Sequence, residues 1–442
     1  MTIEHASELI KKGELSPIEL LDSCLKVIDE RDHEIRAWVI LDREGALEQA
    51  RTFEQQARDG NMQGPLHGIP LGIKDIIDVK GMPTRAGADF YHHEPVRDAT
   101  IVERLRSAGA VIMGKTVTTQ FACFDPSPTR NPHNLEHTPG GSSSGSAAAV
   151  ASGMCLGALG SQTGGSITRP SAYCGITGLK GTHRRVSVHG VVPVSFNLDH
   201  PGPMANCVID LAMLFQSIAG HDPHDPYSSR RPTGDYLSGL GAACDLRIGV
   251  ISDYFHENAD ADMREALNRA ENAFSENGSQ IERFELPKSF DELHEMHQII
   301  MCAEMTTFHA PIFARHRKEY SAGIQRLIEG GMSVSATDYA NALRHQNRFR
   351  SEITEAMKEF DVLLTPSAPT TAPHDLTTTG NPMFNSPWSY SGLPTVGLPV
   401  HLAPNGLPTS VQLVGHHFQE ADLLAAAKWC EEALQFREVN HV

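Results

Sequence analysis

Residues 98–116 read DATIVERLRSAGAVIMGKT: a helical segment, a stop at Gly109 and a strand. Helix followed by strand is the building unit of α/β folds, so this stretch sets the fold class. Upstream, the Gly- and Pro-rich piece 64–70 ends any helix, and LGIKDIIDV (71–79) then reads as a short strand. The first 60 residues read as helical. In LSPIEL (15–20), Ser16 caps a helix, Pro17 takes its first position and Glu19 completes a capping box, with Leu15 and Leu20 as a hydrophobic staple. Downstream, the alanine-rich run from Ser146 to Met154 reads as a buried helix. LRIGVI (246–251) and DVLLTP (361–366) are continuous apolar runs, typical of strands buried on both faces. The region 260–360 reads as mostly helical, and SPWSYSGLPTVGLPV (386–400) as an irregular pocket wall. No repeat, low-complexity tract or linker interrupts the chain. The expectation is one α/β domain over 1–442, with a helical segment at 1–60, a core at 61–220 and the helical region at 260–360.

The 442 residues are 40% hydrophobic and 21% charged, ordinary for a well-cored globular protein. Lys plus Arg number 37 against 54 Asp plus Glu, a net charge of −17. Such a surface repels phosphate backbones and anionic membranes, which argues against nucleic-acid and membrane partners. The eight cysteines, Cys244 among them, include no CxxC pair and read as buried free thiols of a reducing compartment. MTIEHASELIKKGELS has no apolar h-region, and no run of 18 apolar residues follows anywhere, so the sequence reads as cytoplasmic.

Two clusters of small residues carry the chemistry. The first, HTPGGSSSGSAAAVASG (137–153), lacks the Gly-Lys-Ser/Thr of a phosphate cradle. Its GSSSG matches a nucleophile elbow centred on Ser143, yet the preceding HNLEHTP is no strand. Ser143, Ser144 and Ser146 read as loop and helix-capping hydroxyls. In the second cluster, GSQTGGSITRP (160–170), two glycines before Ser166 let backbone N–H groups converge beside its hydroxyl, as an oxyanion site requires. A serine nucleophile needs a base, and neither loop core holds a histidine. Lys74, flanked by apolar residues, is the candidate, because burial lowers a lysine towards the neutral amine. His133 and His137 have a metal-like spacing, but Asn134 and Pro139 oppose a helix there and no metal site is expected.

The runs PGGSSSGSAAAVASG and LGSQTGGSITRPSAYCGITGLKGT, with GIPLGIKD upstream, closely resemble the amidase signature family. The resemblance extends from SPIELLDSCL to LPTSVQLVGHHF near the C-terminus. It implies a mixed, mostly parallel central β-sheet flanked by helices on both faces. It further implies Lys74 as base, Ser142 as a bridging serine held by a cis peptide, Ser166 as nucleophile, and the backbone of Thr163, Gly164, Gly165 and Ser166 as oxyanion hole. The chemistry so implied is acyl transfer through a Ser166 acyl-enzyme with a Lys74–Ser142 proton relay, and needs no metal or organic cofactor. Arg169 and Asp199 occupy family-like positions and read as buried ion-pairing residues.

The sequence also departs from that family. The common SIRxP is SITRP here, with Thr168 where arginine is frequent and Arg169 beside it. The glutamine-using A subunits of tRNA-dependent amidotransferases usually carry acidic residues before the segment matching Asn381-Pro382-Met383-Phe384, where this chain has Thr-Thr-Gly-Asn. By analogy, Gln120, Phe121 and Cys123 should lie beside the acyl group, with Phe384, Trp388 and Tyr390 opposite. That would make an apolar, aromatic-lined site. The leading expectation is therefore a stand-alone amidase, monomer or homodimer, for neutral small amides, anilides or carbamates. The alternative is a glutamine-dependent amidotransferase A-type subunit working with partner chains. A catalytically silent scaffold is disfavoured by the presence of Lys74, Ser142 and Ser166.

Overall fold

A computed structural model of the chain describes residues 1–242 and 245–436. The stretch 98–116 forms a helix, Thr100–Ser107, and a strand, Val111–Thr116. Gly109 between them has φ +92°, and a Cβ there would stand 2.7 Å from the His67 backbone. Only glycine suits that turn. At the N-terminus the Ser16 hydroxyl accepts from Ile18 and Glu19, and the Glu19 carboxylate accepts from Ser16 N–H, so the capping box starts the Pro17–Ile35 helix as the residues predict.

Eleven strands form one sheet: β1 (Trp38–Leu41), β2 (Pro70–Lys74), β3 (Val111–Thr116), β4 (Gly157–Gln162), β5 (Thr177–Lys180), β6 (His200–Ala205), β7 (Arg247–Ile251), β8 (Gln280–Phe284), β9 (Val362–Pro366), β10 (Thr395–Leu402) and β11 (Pro408–Val414). Their spatial order is β1-β3-β2-β4-β6-β5-β10-β11-β9-β7-β8. The sheet is mixed. Parallel pairs lie in its two wings, β3–β2–β4 and β9–β7–β8, and antiparallel pairs join the wings through the centre. Helices flank it as expected. Ser144–Ala151 packs on β2, β3, β4 and β6, and Thr168–Cys174 on β5, β10 and β11. Val208–Ile218 and Glu420–Leu434 pack on each other and on the same central strands.

Three local expectations change. The first 60 residues are not wholly helical, because the short strand β1 pairs antiparallel with β3. The 260–360 region contains β8, which pairs parallel with β7. The largest change is at 386–400, which is neither irregular nor a pocket wall. Ser386–Ser391 is helical and β10 lies at the centre of the sheet. Pro399 is tolerated because β5 pairs only with Thr395 to Gly397, so no donor is missed on that side. The seven described cysteines are all buried except the half-buried Cys207, while Cys244 lies outside the described residues. Among the described residues no helix is long and apolar enough to cross a membrane.

Candidate active site

Lys74 ends β2, a strand buried along its whole length, so its amine enters the protein with no water shell. Its Nζ stands 2.7 Å from Ser142 Oγ and 2.8 Å from Ser161 Oγ. Burial lowers the amine to about 7, with Asp199 pulling the other way. Ser142 follows a cis Gly141–Ser142 peptide bond and precedes the Ser144–Ala151 helix. Sequence reasoning assigns no role to Ser161. It sits on β4 directly before Gln162, where its hydroxyl reaches the amine across the β2–β4 pairing.

Ser166 lies in the turn between β4 and the Thr168–Cys174 helix. It lines a narrow cavity of about 20 Å³, with Thr163, Gly164, Gly165, Cys123, Arg169, Met301 and Pro382 among the walls. Three carbonyls of that turn are tied back: Thr163 O accepts from His297 Nε2 at 3.1 Å, Gly164 O from Ser389 Oγ at 2.9 Å, and Gly165 O from Arg169 N at 2.9 Å. The N–H groups of Thr163, Gly164, Gly165 and Ser166 have no acceptor among the described residues. Four backbone donors without protein acceptors beside a serine are the electrostatic raw material of an oxyanion hole. Gly165 is required by crowding, since a Cβ there would lie 2.6 Å from Asn385 Oδ1. Among the described residues no hydrogen bond joins Ser142 to Ser166.

The turn is fixed by side chains that sequence reasoning missed. Gln162 Oε1 accepts from Ile167 N (2.9 Å), Thr168 N (3.0 Å) and Thr168 Oγ1 (3.2 Å), and its Nε2 donates to Ser389 Oγ. Asp199 and Arg169, read as ion-pairing residues, form no ion pair among the described residues. Asp199 instead accepts from Thr163 Oγ1 (2.6 Å), Val194 N (2.8 Å) and Ser195 N (3.0 Å), and burial raises its carboxyl to about 6. Arg169 is 2% exposed and donates from Nη2 to Gly141 O (2.8 Å) and Thr379 Oγ1 (3.2 Å). Its Nε and Nη1 have no partner among the described residues, so a buried cation with free donors stands in the wall of the Ser166 cavity.

The expected aromatic walls are elsewhere. Of that set only Cys123 lines the cavity. Gln120 is bound to Ser321 and Glu319, and Phe121 is buried against Tyr320 and His309. Phe384, Trp388 and Tyr390 are fully buried core residues. Trp388 stacks on Phe255 at 5.8 Å and Tyr390 OH bonds His345 at 2.9 Å. Aromatic residues next to Pro and Gly read as a surface groove in sequence, but here they fill the space beneath the sheet. His133 and His137 each turn a ring nitrogen to a backbone carbonyl, and no metal-holding cluster of His, Cys, Asp and Glu occurs among the described residues.

Comparison with known proteins places this geometry. A family model described as Amidase matches residues 19–424. The chain belongs to the amidase signature family. Members of this family are enzymes acting on C–N bonds, and the chain is one of them. A curated relative, the A subunit of the Glutamyl-tRNA(Gln) amidotransferase of Halothermothrix orenii, is 34% identical, with 99% of this chain and 98% of that protein covered. Further curated relatives carry the same name. Among solved structures, the Thermotoga maritima protein of that name superposes with a TM-score of 0.81 at 28% identity, covering 96% of this chain and 93% of that one. A chain from a vestigial protein complex that bears on the origins of an s-triazine catabolic enzyme superposes at 0.92, with 28% identity and 98% of each chain covered.

These relatives overturn the leading expectation. A stand-alone amidase signature enzyme for neutral amides, anilides or carbamates, working as monomer or homodimer, is not what the curated relatives named above are. They are named as subunits. The cavity agrees with the correction, because it carries the Arg169 guanidinium where an aromatic wall was expected.

Proposed function

We propose that this chain is the amide-cleaving subunit of a glutamine-dependent amidotransferase, releasing ammonia for use by partner chains. The observation that carries the reading is end-to-end likeness, 34% identity over 99% of this chain, to a protein named as the A subunit of an amidotransferase. Ser166 Oγ attacks the side-chain carboxamide carbon, and its proton passes to Ser142 while Ser142 gives its own to the neutral Lys74 amine. The N–H groups of Thr163 to Ser166 hold the oxyanion. Collapse breaks the C–N bond, the proton returns through Ser142 to the departing nitrogen, and ammonia leaves. Water then hydrolyses the acyl-enzyme and releases glutamate.

The free Nε and Nη1 of Arg169 supply a cation for the donor's carboxylate. Neither residue at the expected acid position answers its ammonium: Gly380 has no side chain and Asn381 Oδ1 already accepts from Met383 N. That group falls to something outside this site, which fits a chain fully active only in its assembly. The net charge of −17 likewise fits tRNA being held by the partner chains. The test is ammonia release from glutamine by the chain alone and by the chain co-purified with its partners. Assembly should raise kcat/KM at least tenfold, and Arg169→Met should raise KM at least tenfold. An assembly that hydrolyses a neutral anilide faster than glutamine would sink the reading.

A further inference from the structure

A second cavity, of about 240 Å³, has Asp199 in its wall, whose carboxylate also accepts from Thr163 Oγ1 of the turn before Ser166. Its acids are already occupied. Asp225 accepts from Val188 N at 3.0 Å and Tyr227 N at 2.9 Å, and both Asp199 oxygens are engaged by Thr163, Val194 and Ser195. Burial keeps the His183 imidazole neutral by lowering it well below the ordinary value. What remains is a cation and flat apolar surface. Arg184 is exposed, and its guanidinium forms no hydrogen bond or ion pair among the described residues. Its backbone takes the left-handed conformation, φ +71°, unusual for a side chain of that size, and its guanidinium lies over the Tyr227 ring at 5.5 Å. The Tyr227 ring in turn faces Phe196 at 6.0 Å and 24°, both about 40% exposed. His189 and His224 stand 5.4 Å apart on another wall.

We infer that this cavity binds a small aromatic carboxylate, its ring on the Phe196–Tyr227 face and its carboxylate on the Arg184 fork. The pairing follows from the chemistry left over. A planar guanidinium with free donors recognises carboxylate in a two-point fashion, and an aromatic face beside it favours a planar body. A neutral ring leaves the cation unanswered, and a bare inorganic anion leaves the apolar walls wet. The site is distinct from the Ser166 cavity, whose own cation is Arg169.

The test is a titration of the full chain with benzoate, followed by calorimetry or ligand-observed NMR. Saturable binding in the millimolar range or tighter is expected. Arg184→Ala should weaken it at least tenfold and Tyr227→Leu severalfold, while Arg169→Met leaves it unchanged. Arg184 and Tyr227 are exposed, so thermal melting of both variants should match the parent. Absence of saturable binding overturns the inference. So does binding lost in Arg169→Met but kept in Arg184→Ala, which moves the benzoate to the Ser166 cavity.

Discussion

Lys74, Lys115 and Lys180 are all fully buried, and each meets a different kind of partner. Lys115 is paired with Asp75 at 2.9 Å, Lys180 donates to the Leu393 carbonyl, and Lys74 meets two hydroxyls. A lysine paired with a carboxylate keeps its proton, whereas one among hydroxyls is free to lose it. With Lys74 lowered to about 7, ammonia release should fall away below that pH, where the amine is protonated, and level off above it. A rate independent of pH from about 5 to 9, with chemistry limiting, would remove Lys74 from the role of base. Ser161 makes the finer point. A neutral amine has two N–H donors and one lone pair, so an N–H directed to Ser161 turns the lone pair towards Ser142. Ser161→Ala should lower kcat about tenfold or more. It should also move the limb to lower pH, because the ammonium loses an acceptor, while Ser161→Thr should restore both. Ser166→Ala should abolish turnover and labelling by a fluorophosphonate. Ser143→Ala should keep most activity, since Ser143 Oγ only bridges to the Ser161 backbone. The motif singled out Lys74, Ser142 and Ser166, because those positions belong to long patterns, and the fold sets the first two 2.7 Å apart. Ser161 was hidden among equivalent-looking hydroxyls, and only the strand register decides which of them faces the amine.

The β4-to-helix turn is the element on which the proposed reaction depends, and one glutamine shapes it. Gln162 Oε1 gathers three donors from Ile167 and Thr168, and its amide reaches Ser389, whose hydroxyl holds Gly164 O. Gln162→Ala leaves buried donors unanswered, at about 1–3 kcal/mol for each group. The expected result is a lower melting temperature together with a loss in kcat larger than any rise in KM, read from denaturation and steady-state kinetics. A change in melting temperature alone would make Gln162 merely structural. Sequence could not reveal this clamp, because a glutamine beside Ser161 reads as one more polar loop residue. The same limit governed 386–400. Pro and Gly signal loop by local rules, whereas the segment's place at the sheet centre depends on pairing with β5 and β11, the first of them distant in the chain. The capping box at Ser16 and the Gly109 stop were legible because both are local, closed within a few residues.

Across the whole molecule, the fold rests on packing that joins remote parts of the chain. Trp388, fully buried against Phe255, should cost about 3–5 kcal/mol when replaced by alanine. Asp75→Ala, which strands the Lys115 cation in the interior, should cost a similar amount. Urea denaturation of each variant measures both, and a loss below about 1 kcal/mol in either would contradict the burial argument. The insertion of β10 between β5 and β11 also bears on how the protein is made. On a ribosome adding about 5–20 residues per second, β5 emerges roughly ten to forty seconds before the strand that must lie beside it. Throughout that interval the half of the polypeptide bearing Lys74, Ser142 and Ser166 carries an open strand edge that nothing yet covers. The nascent chain therefore needs that edge shielded, and its chemistry begins only after β10 has been made.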